Sequence, residues 1–387
     1  TRSRLPADRQ NAIVRSFMVH HQGMILLSLD NYLQNGPIVR RFHADPRVQS
    51  VELLLHEQVP LRPPLEHPRP EEVRPLRRSQ PQEVVAPWRV PVDTPMPQVH
   101  VLSNGRYRVL VTNAGSGYSA WRGVALTRWR ADTALDDWGM WIYVQDCESG
   151  ALWSASRQPV GGQPQDYGVV FYPHMAVFRC HAHDISLRME VTVPPDDDVE
   201  IRRVTLTNLD GRPRRLALTS YGEVVLAPQS VDGRHPAFNK LFIESTYLPE
   251  IGGLLFRRRP RSAEEEPIYL VHLLVMEDEG ARTGAHESDR ARFLGRGRTA
   301  RSPVALEKSG LLSAYHHPLP ARRAEPAEGQ PFHAAVATLD PLMSLGQEIE
   351  LAPHATVQVA YVTLAARSRE EALTLACRYQ AWPRIER

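Results

Sequence analysis

The chain has 387 residues, 42% of them hydrophobic and 23% charged, and its 46 basic and 44 acidic side chains leave a net charge of +2. That length exceeds the roughly 100–200 residues of a usual domain, so two units or one large all-β domain with appendages is expected, and the composition is that of a folded chain rather than a disordered one. The near-neutral balance, with basic residues almost all arginine, argues against the electrostatic footprint of a nucleic-acid binder.

Residues 10–35 read as a helix, because Ile13, Phe17, Met24 and Leu27 recur at helical spacing until Asn35-Gly36-Pro37 stops the run. A second short helix fits 46–58, on the stripe Val48, Val51, Leu54 and Leu55. Two helices cannot close a core, so residues 1–59 read as the tail of a larger helical domain. The stretch 60–98 carries eleven prolines, which block helix interiors and central strands and predict an extended linker.

From 99 to 366 the texture is short apolar runs broken by Gly, Pro, Asn and Asp, which predicts a large antiparallel β-sandwich. Leu187, Met189, Val191 and Val193 alternate with polar neighbours, giving one buried and one wet face. Similar strands are expected at 107–111, 169–172, 201–208, 216–221, 269–275 and 356–364. At 367–387 a helix begins, with Ser368 as N-cap and Glu371 three residues on as a capping box.

Five of the seven tryptophans, Trp121, Trp129, Trp138, Trp141 and Trp153, fall within one short stretch, interleaved with Arg122, Arg128, Arg130, Asp132, Asp136 and Asp137. Flat apolar faces beside planar donors and carboxylate acceptors suit a sugar, whose C–H face stacks while its hydroxyls hydrogen-bond. The same residues also suit a sandwich core crossed by buried ion pairs, and composition leaves both readings open. The loop 113–118, with two glycines, reads as a tight strand connection that matches neither a Walker loop nor a dinucleotide fingerprint. The run Arg257-Arg258-Arg259-Pro260-Arg261 followed by Glu264-Glu265-Glu266 reads as a self-compensating exposed loop.

No metal site is expected. His20 and His21 are adjacent and would point about 100° apart on a helix. His181, His183 and Asp184 lack a recognisable third ligand, and His316-His317 sits in a Pro-rich turn. Cys147, Cys180 and Cys377 are odd in number and widely spaced, as in a reduced compartment. No stretch approaches the ~18 apolar residues that span a bilayer, and the first residues lack a signal-peptide core, so a cytoplasmic chain without a membrane segment is expected. No Ser/His/Asp order or reactive cysteine context stands out.

The passage 104–153, "NGRYRVLVTNAGSGYSAWRGVALTRWRADTALDDWGMWIYVQDCESGALW", resembles the start of the β-sandwich of cyclic β-1,2-glucan synthases, which belong with the cellobiose and chitobiose phosphorylases. So do "HPAFNKLFIES" at 235–245, "FLGRGRT" at 293–299 and "LDPLMSLGQEIELAPHATVQVAYVT" at 339–363. Upstream, "VRSFMVHHQGMILLSLDNYL" and "RRFHADPRVQSVELLLHEQVP" resemble the last helices of the glucoamylase-like barrel that precedes that sandwich in the synthases.

The resemblance implies a supersandwich of the galactose-mutarotase-like kind flanked by α/α barrels that lie outside this chain. It implies a β-glucan or oligosaccharide as ligand, those barrels or another subunit as partners, and inorganic phosphate as the parent's co-substrate, with no other cofactor. The phosphorolytic acid of the family is an aspartate of the following barrel, so no catalytic residue is expected here. The parent would be anchored in the inner membrane by segments not present. Sugar-contact candidates are Trp121, Arg128, Trp129, Arg130, Asp132, Asp137 and Trp138, together with His20, His21 and Gln22, which match a motif near the barrel mouth.

Overall fold

The computed structural model describes residues 18–52, 87–162, 166–261, 265–277, 285–307 and 338–386. Two compact units divide between Glu83 and Val84. In the first, α1 (Val19–Leu33) is followed by α2 (Pro37–His43) and α3 (Pro46–Val51). The expected second helix thus runs six residues, and 53–58 lie outside the described residues, as do 10–17 of the first. Asn35-Gly36-Pro37 is both a stop and a start. Gly36 turns the chain at φ 74 and Pro37 opens α2 at its first turn, where a missing N–H costs nothing. α1 buries no residue, and Met24, Ile25, Leu26 and Leu29 are all exposed.

In the second unit the first described strands are β1 (Trp88–Val90), β2 (Val99–Ser103), β3 (Tyr107–Thr112), β4 (Gly117–Trp121), β5 (Val124–Thr127), β6 (Trp141–Asp146) and β7 (Leu152–Ser154). Then come β8 (Asp166–Tyr172), β9 (Met175–Ala182), β10 (Ile185–Thr192), β11 (Val199–Asn208) and β12 (Arg214–Ala227). Helices α4 (Gln229–Arg234) and α5 (Pro236–Lys240) precede β13 (Ile243–Leu248), β14 (Gly253–Arg258), β15 (Ile268–Met276) and β16 (Ala285–Asp289). The chain closes with α6 (Arg290–Leu294), β17 (Pro341–Leu351), β18 (Thr356–Ala366), α7 (Arg369–Tyr379) and α8 (Trp382–Glu386).

One sheet has the order β1-β8-β9-β10-β11-β18-β15-β14-β13, the other β16-β17-β12-β5-β4-β3-β2, with β6 beside β12 and β7 beside β6. Neighbours are antiparallel throughout. The expected strands are present, mostly longer than their apolar runs suggested. β1 lies inside the stretch expected as linker: a three-residue edge strand fits between Pro87 and Pro91 because an edge tolerates prolines beside it.

Alternation sorts the strands into inner and outer faces. Leu270 and Leu274 of β15, Val359 and Tyr361 of β18, and Leu216 and Leu218 of β12 belong to the core between the sheets. Val271, Leu273 and Val275 with Ala360, Val362 and Leu364 point the other way, under Leu375, Ala376 and Tyr379 of α7. The outer face of the second sheet is covered in turn by Phe293 and Leu294 of α6 and by Leu306, which pack on Trp141, Tyr143 and Tyr221.

Two polar sets cross the inner core satisfied, whereas Tyr361 OH and Trp153 Nε1 are buried there without a partner among the described residues. Glu200 accepts from Arg202 Nε at 2.7 Å, from Tyr107 at 3.3 Å and from Ser119. His272, fully buried, sits 2.9 Å from both Ser220 Oγ and Thr363 Oγ1. Burial, and then the Arg202 charge, pushes its pKa from 6.5 down to about 3.

The capping box forms in part. Ser368 Oγ accepts from Glu371 N at 3.0 Å, while Glu371 reaches back to Arg367 N rather than to Ser368 N. The basic run is not a loop: Arg257 and Arg258 lie on β14, Arg258 is buried 3.3 Å from Glu265, and Arg261 covers the Phe238 and Phe242 rings. The acidic compensation read from the sequence is real, but strand pairing holds its first half. No helix among the described residues is long and apolar enough to cross a membrane.

Candidate functional site

β5 is only four residues long and its continuation, 128–140, is an irregular loop that returns to β6. The loop is fixed at its start by the chain that leaves β12. There β12 shifts register against β5, with Leu226 at φ 50, and α4 brings Asp232 under the loop.

Arg128 donates to Asp232 through Nε at 3.1 Å and Nη2 at 3.0 Å, and to Glu223 through Nη1 at 2.8 Å. Arg130 adds a second cation 3.2 Å from Asp232. Glu223 also accepts from Tyr221 OH at 2.8 Å and from Arg290 Nε at 2.5 Å, and Arg290 continues at 3.4 Å to Asp340, which pairs with Lys240.

Arg128, Glu223 and Asp232 are all buried. Burial opposes the Arg128 charge, but the bonds and charges of Asp232 and Glu223 outweigh it and raise its pKa. Burial, then the neighbouring Glu223 carboxylate, holds the Tyr221 phenol protonated far above its usual range. The network ties loop, α4, β12 and α6 into one piece.

The far side of the loop is held by the β3–β4 connection. Trp138 O accepts from Gly117 N at 2.8 Å and from Ser116 Oγ at 2.5 Å. Gly117 has φ 142, and a Cβ there would stand 1.8 Å from Leu110 O, so no other residue fits. Asp136, at φ 45, accepts from Thr112 Oγ1 at 2.7 Å, and burial raises its pKa against that bond. Asp132 Oδ1 caps the turn by accepting from Ala134 N and Leu135 N, both at 3.0 Å.

Between these supports lies a surface of mixed character. Trp129 is half-buried against Tyr118, with ring centroids 5.5 Å apart, and Trp138 is half-buried. The Arg130 side chain is 34% exposed, and Asp137 is exposed. Indole faces, a guanidinium whose free N–H groups reach solvent and a carboxylate can together pack on an apolar face and exchange hydrogen bonds with hydroxyls.

The structure therefore ties Arg128 and Arg130 to Asp232 and packs Trp129 on Tyr118, the neighbour of Gly117, to which the Trp138 carbonyl is bound. Three tryptophans of the cluster, Trp121, Trp141 and Trp153, are core residues instead. Trp121 lies at the other end of the β4–β5 hairpin, 4% exposed, with Nε1 donating to Asp198 Oδ2 at 2.6 Å. Arg128 is the anchor below the surface, and Asp132 shapes the turn.

His20, His21 and Gln22 are exposed on α1 in the first unit, the two histidine rings 4.2 Å apart. His183 packs on Trp153 at the β9–β10 turn, and His316 and His317 lie outside the described residues. Sequence reasoning missed Glu223 and Asp232. The available signal was a glutamate within the apolar β12 run Tyr221-Gly-Glu223-Val-Val-Leu, since a carboxylate there must be paired.

The two antiparallel sheets form the sandwich of a known domain family. The profile described as "Glycosyl hydrolase 94, supersandwich domain" matches residues 82–319 and 320–381, and the chain belongs to that family. Among its relatives, the cyclic beta-(1,2)-glucan synthase NdvB of Rhizobium meliloti (strain 1021) is 32% identical over 374 residues, 96% of this chain and 12% of that protein. The N,N'-diacetylchitobiose phosphorylase of Vibrio proteolyticus is 23% identical over 234 residues, 58% of this chain and 28% of that one. A bacterial glucoamylase solved with acarbose superposes with a TM-score of 0.40 at 9% identity, covering 74% of this chain and 34% of that chain. The chain thus spans less than a third of the length of either curated relative.

Proposed function

We propose that this chain is the sandwich portion of an enzyme that builds or trims β-1,2-glucan, and that the 128–140 loop holds glucan beside a catalytic barrel supplied by the rest of the parent or by another subunit. The carrying observation is the similarity to the glucan synthase along 96% of the chain. Its membership of the glycosyl hydrolase 94 supersandwich family makes it part of a carbohydrate-active enzyme.

In this reading Trp129, Trp138, Arg130 and Asp137 meet the sugar, Arg128 and Asp132 shape the loop, and α1, with His20, His21 and Gln22, is the end of a preceding barrel. Trp121 serves the core rather than this loop. An inverting phosphorolysis needs one acid plus phosphate as nucleophile, and both would act in the barrel. The exposed apolar sides of α1 support a missing helical neighbour.

A non-catalytic carbohydrate-binding or structural module is the second reading, favoured by a loop whose charged residues Arg128, Arg130 and Asp132 are engaged in holding the fold. Incubation of the purified chain with linear β-1,2-glucan, with and without phosphate, separates the two from a self-sufficient enzyme. The expected result is unchanged chain length and no glucose 1-phosphate, with glucan retained by the chain. Released sugar phosphate would place catalysis within these residues, and glucan that is neither retained nor altered would overturn the loop as a sugar surface.

A further inference from the structure

The β4–β5 hairpin turns on two residues, Arg122 and Gly123, at φ 48 and 84. Asn-Gly is the relaxed choice for such a turn, and an arginine at the first position holds an unfavourable left-handed backbone. What the position gains is a guanidinium at the tip of the hairpin, 43% exposed, 5.5 Å from the Trp121 ring centroid and 3.9 Å from Asp198.

That guanidinium lies between two clefts and lines both. One, of about 510 Å³, has the carboxylates of Asp196, Asp197, Asp198, Glu370 and Glu371 and the guanidinium groups of Arg106 and Arg378 in its walls. The other, of about 270 Å³, is lined by the apolar residues Leu226, Pro228, Pro267 and Ile268, by Trp121, and by the ion pair of Arg258 and Glu265. Glu266 and Arg367 also line the second cleft, and Ser368 the first, so together the two clefts follow one line between the hairpin tip and the start of α7.

We infer that this line is a second carbohydrate groove, which takes a neutral oligosaccharide. The inference rests on the carbohydrate reading above but not on the 128–140 loop, which begins on the far side of the four β5 residues, roughly 13 Å away along the strand. The walls select the ligand class.

Arg106 pairs with Asp198 at 2.7 Å, Arg258 with Glu265 at 3.3 Å and Arg367 with Glu266 at 3.4 Å. In the larger cleft five carboxylates, Asp196, Asp197, Asp198, Glu370 and Glu371, outnumber three guanidinium groups and disfavour an anion, and in the smaller cleft a charged ligand would meet a like charge beside each opposite one of the two ion pairs. A hydroxyl both donates to the carboxylate and accepts from the guanidinium of the same pair without separating them. The apolar lining of the smaller cleft, which includes Leu226, Pro228, Pro267 and Ile268, suits the C–H face of a pyranose, and the larger cleft falls within the roughly 300–1,000 Å³ of small-ligand sites.

The test is calorimetric titration of a linear β-1,2-glucan oligosaccharide into the wild-type chain, Arg122→Asn and Trp129→Ala. Asparagine tolerates the left-handed turn, so Arg122→Asn should fold at least as well as wild type while removing the guanidinium. Two classes of site are expected in the wild type. Trp129→Ala should keep the groove class at its original affinity, and Arg122→Asn should weaken that class at least about tenfold while keeping the loop class.

Glu266→Gln, at a side chain 66% exposed, should weaken the groove class in the same direction and serves as the readout if Arg122→Asn folds poorly. An Arg122→Asn titration identical to wild type, or a Trp129→Ala chain that binds nothing, overturns the groove and leaves the loop standing. A wild-type chain that binds no glucan overturns both.

Discussion

Asp232 is the residue on which the loop depends, because one carboxylate receives two bonds from Arg128 and a second cation from Arg130. A buried ion pair contributes little over an apolar pair of the same shape, but removing one partner strands the other. Asp232→Ala should therefore cost about 3–5 kcal/mol in urea unfolding. Asp132→Ala, which removes only the cap on two turn N–H groups, should cost about 1 kcal/mol. Equal effects of the two would mean that Arg128 finds other compensation. His272 sets a different dependence, on pH. Unfolded, it titrates near 6.5; folded, it stays neutral down to about 3 because burial disfavours the cation. Between those values the unfolded chain binds the extra proton, so this contribution is whole above pH 6.5 and is lost as the pH falls toward 3, by up to about 1.4 kcal/mol per pH unit. Asp146, whose pKa is lowered to about 2 against its burial by bonds from Ser149 N and Arg214, loses its contribution only as the pH falls from 3.8 toward 2. A wild-type chain should thus lose stability between pH 6.5 and 4.5, before Asp146 contributes. His272→Gln, which keeps a donor and an acceptor for Ser220 and Thr363, should lose less over that interval; equal slopes would remove His272 as the cause.

At the scale of elements, sequence reading succeeded where a local signal and the tertiary environment agree. The alternation of 187–193 gave β10 because one side of that strand meets the inner core. The Ser368 and Glu371 pair gave α7 because capping is decided within one turn. β12 was read as six residues and runs fourteen; it is buried from Leu216 to Ala227 and so lacks the alternation of a half-wet strand, and Gly222 and Glu223 interrupt the apolar run that marked its middle. β1 was missed because three residues among prolines carry no pattern; its partner β8 makes it a strand. For the loop, composition identified the tryptophan stretch but could not divide it, because an indole in the core and an indole on a rim look alike until the loop's supports are known. Those supports, Asp232 and Glu223, lie 104 and 95 residues from Arg128 in the chain. The helix α7 offers a test at this scale. Ser368→Ala should lower stability by about 1 kcal/mol through its lost cap, a fall in Tm of about 2–4 °C by thermal denaturation. An unchanged Tm would mean that the bonds from Arg378 and Tyr379 of α7 to Asp197, joined there by Arg384 of α8, hold the helix without its cap.

Across the whole sandwich, the loop is joined to the body through its ion network rather than hanging from it. Glu223 lies on β12, which pairs with β17, β6 and β5, and Arg290 and Asp340 sit where β16 ends and β17 begins. Glucan held by Trp129 and Trp138 would therefore be bound only when the second sheet is assembled, and such a ligand stabilises the fold by mass action. At a glucan concentration one hundred times Kd the gain is about 2.7 kcal/mol, which for a domain of this size raises Tm by about 5–10 °C. Trp129→Ala removes a half-buried face and not a network member, so it should melt close to wild type without glucan and show a smaller rise with it, the remainder coming from the groove at Arg122. Unrelated neutral polymers of the same mass should shift neither, which separates binding from excluded volume, a term of only about 0.2–1 kcal/mol. If Trp129→Ala gains as many degrees as the wild type, the sugar is not held at the loop. Stabilisation would then have to come from elsewhere on the sandwich, with Arg122→Asn the next variant to melt.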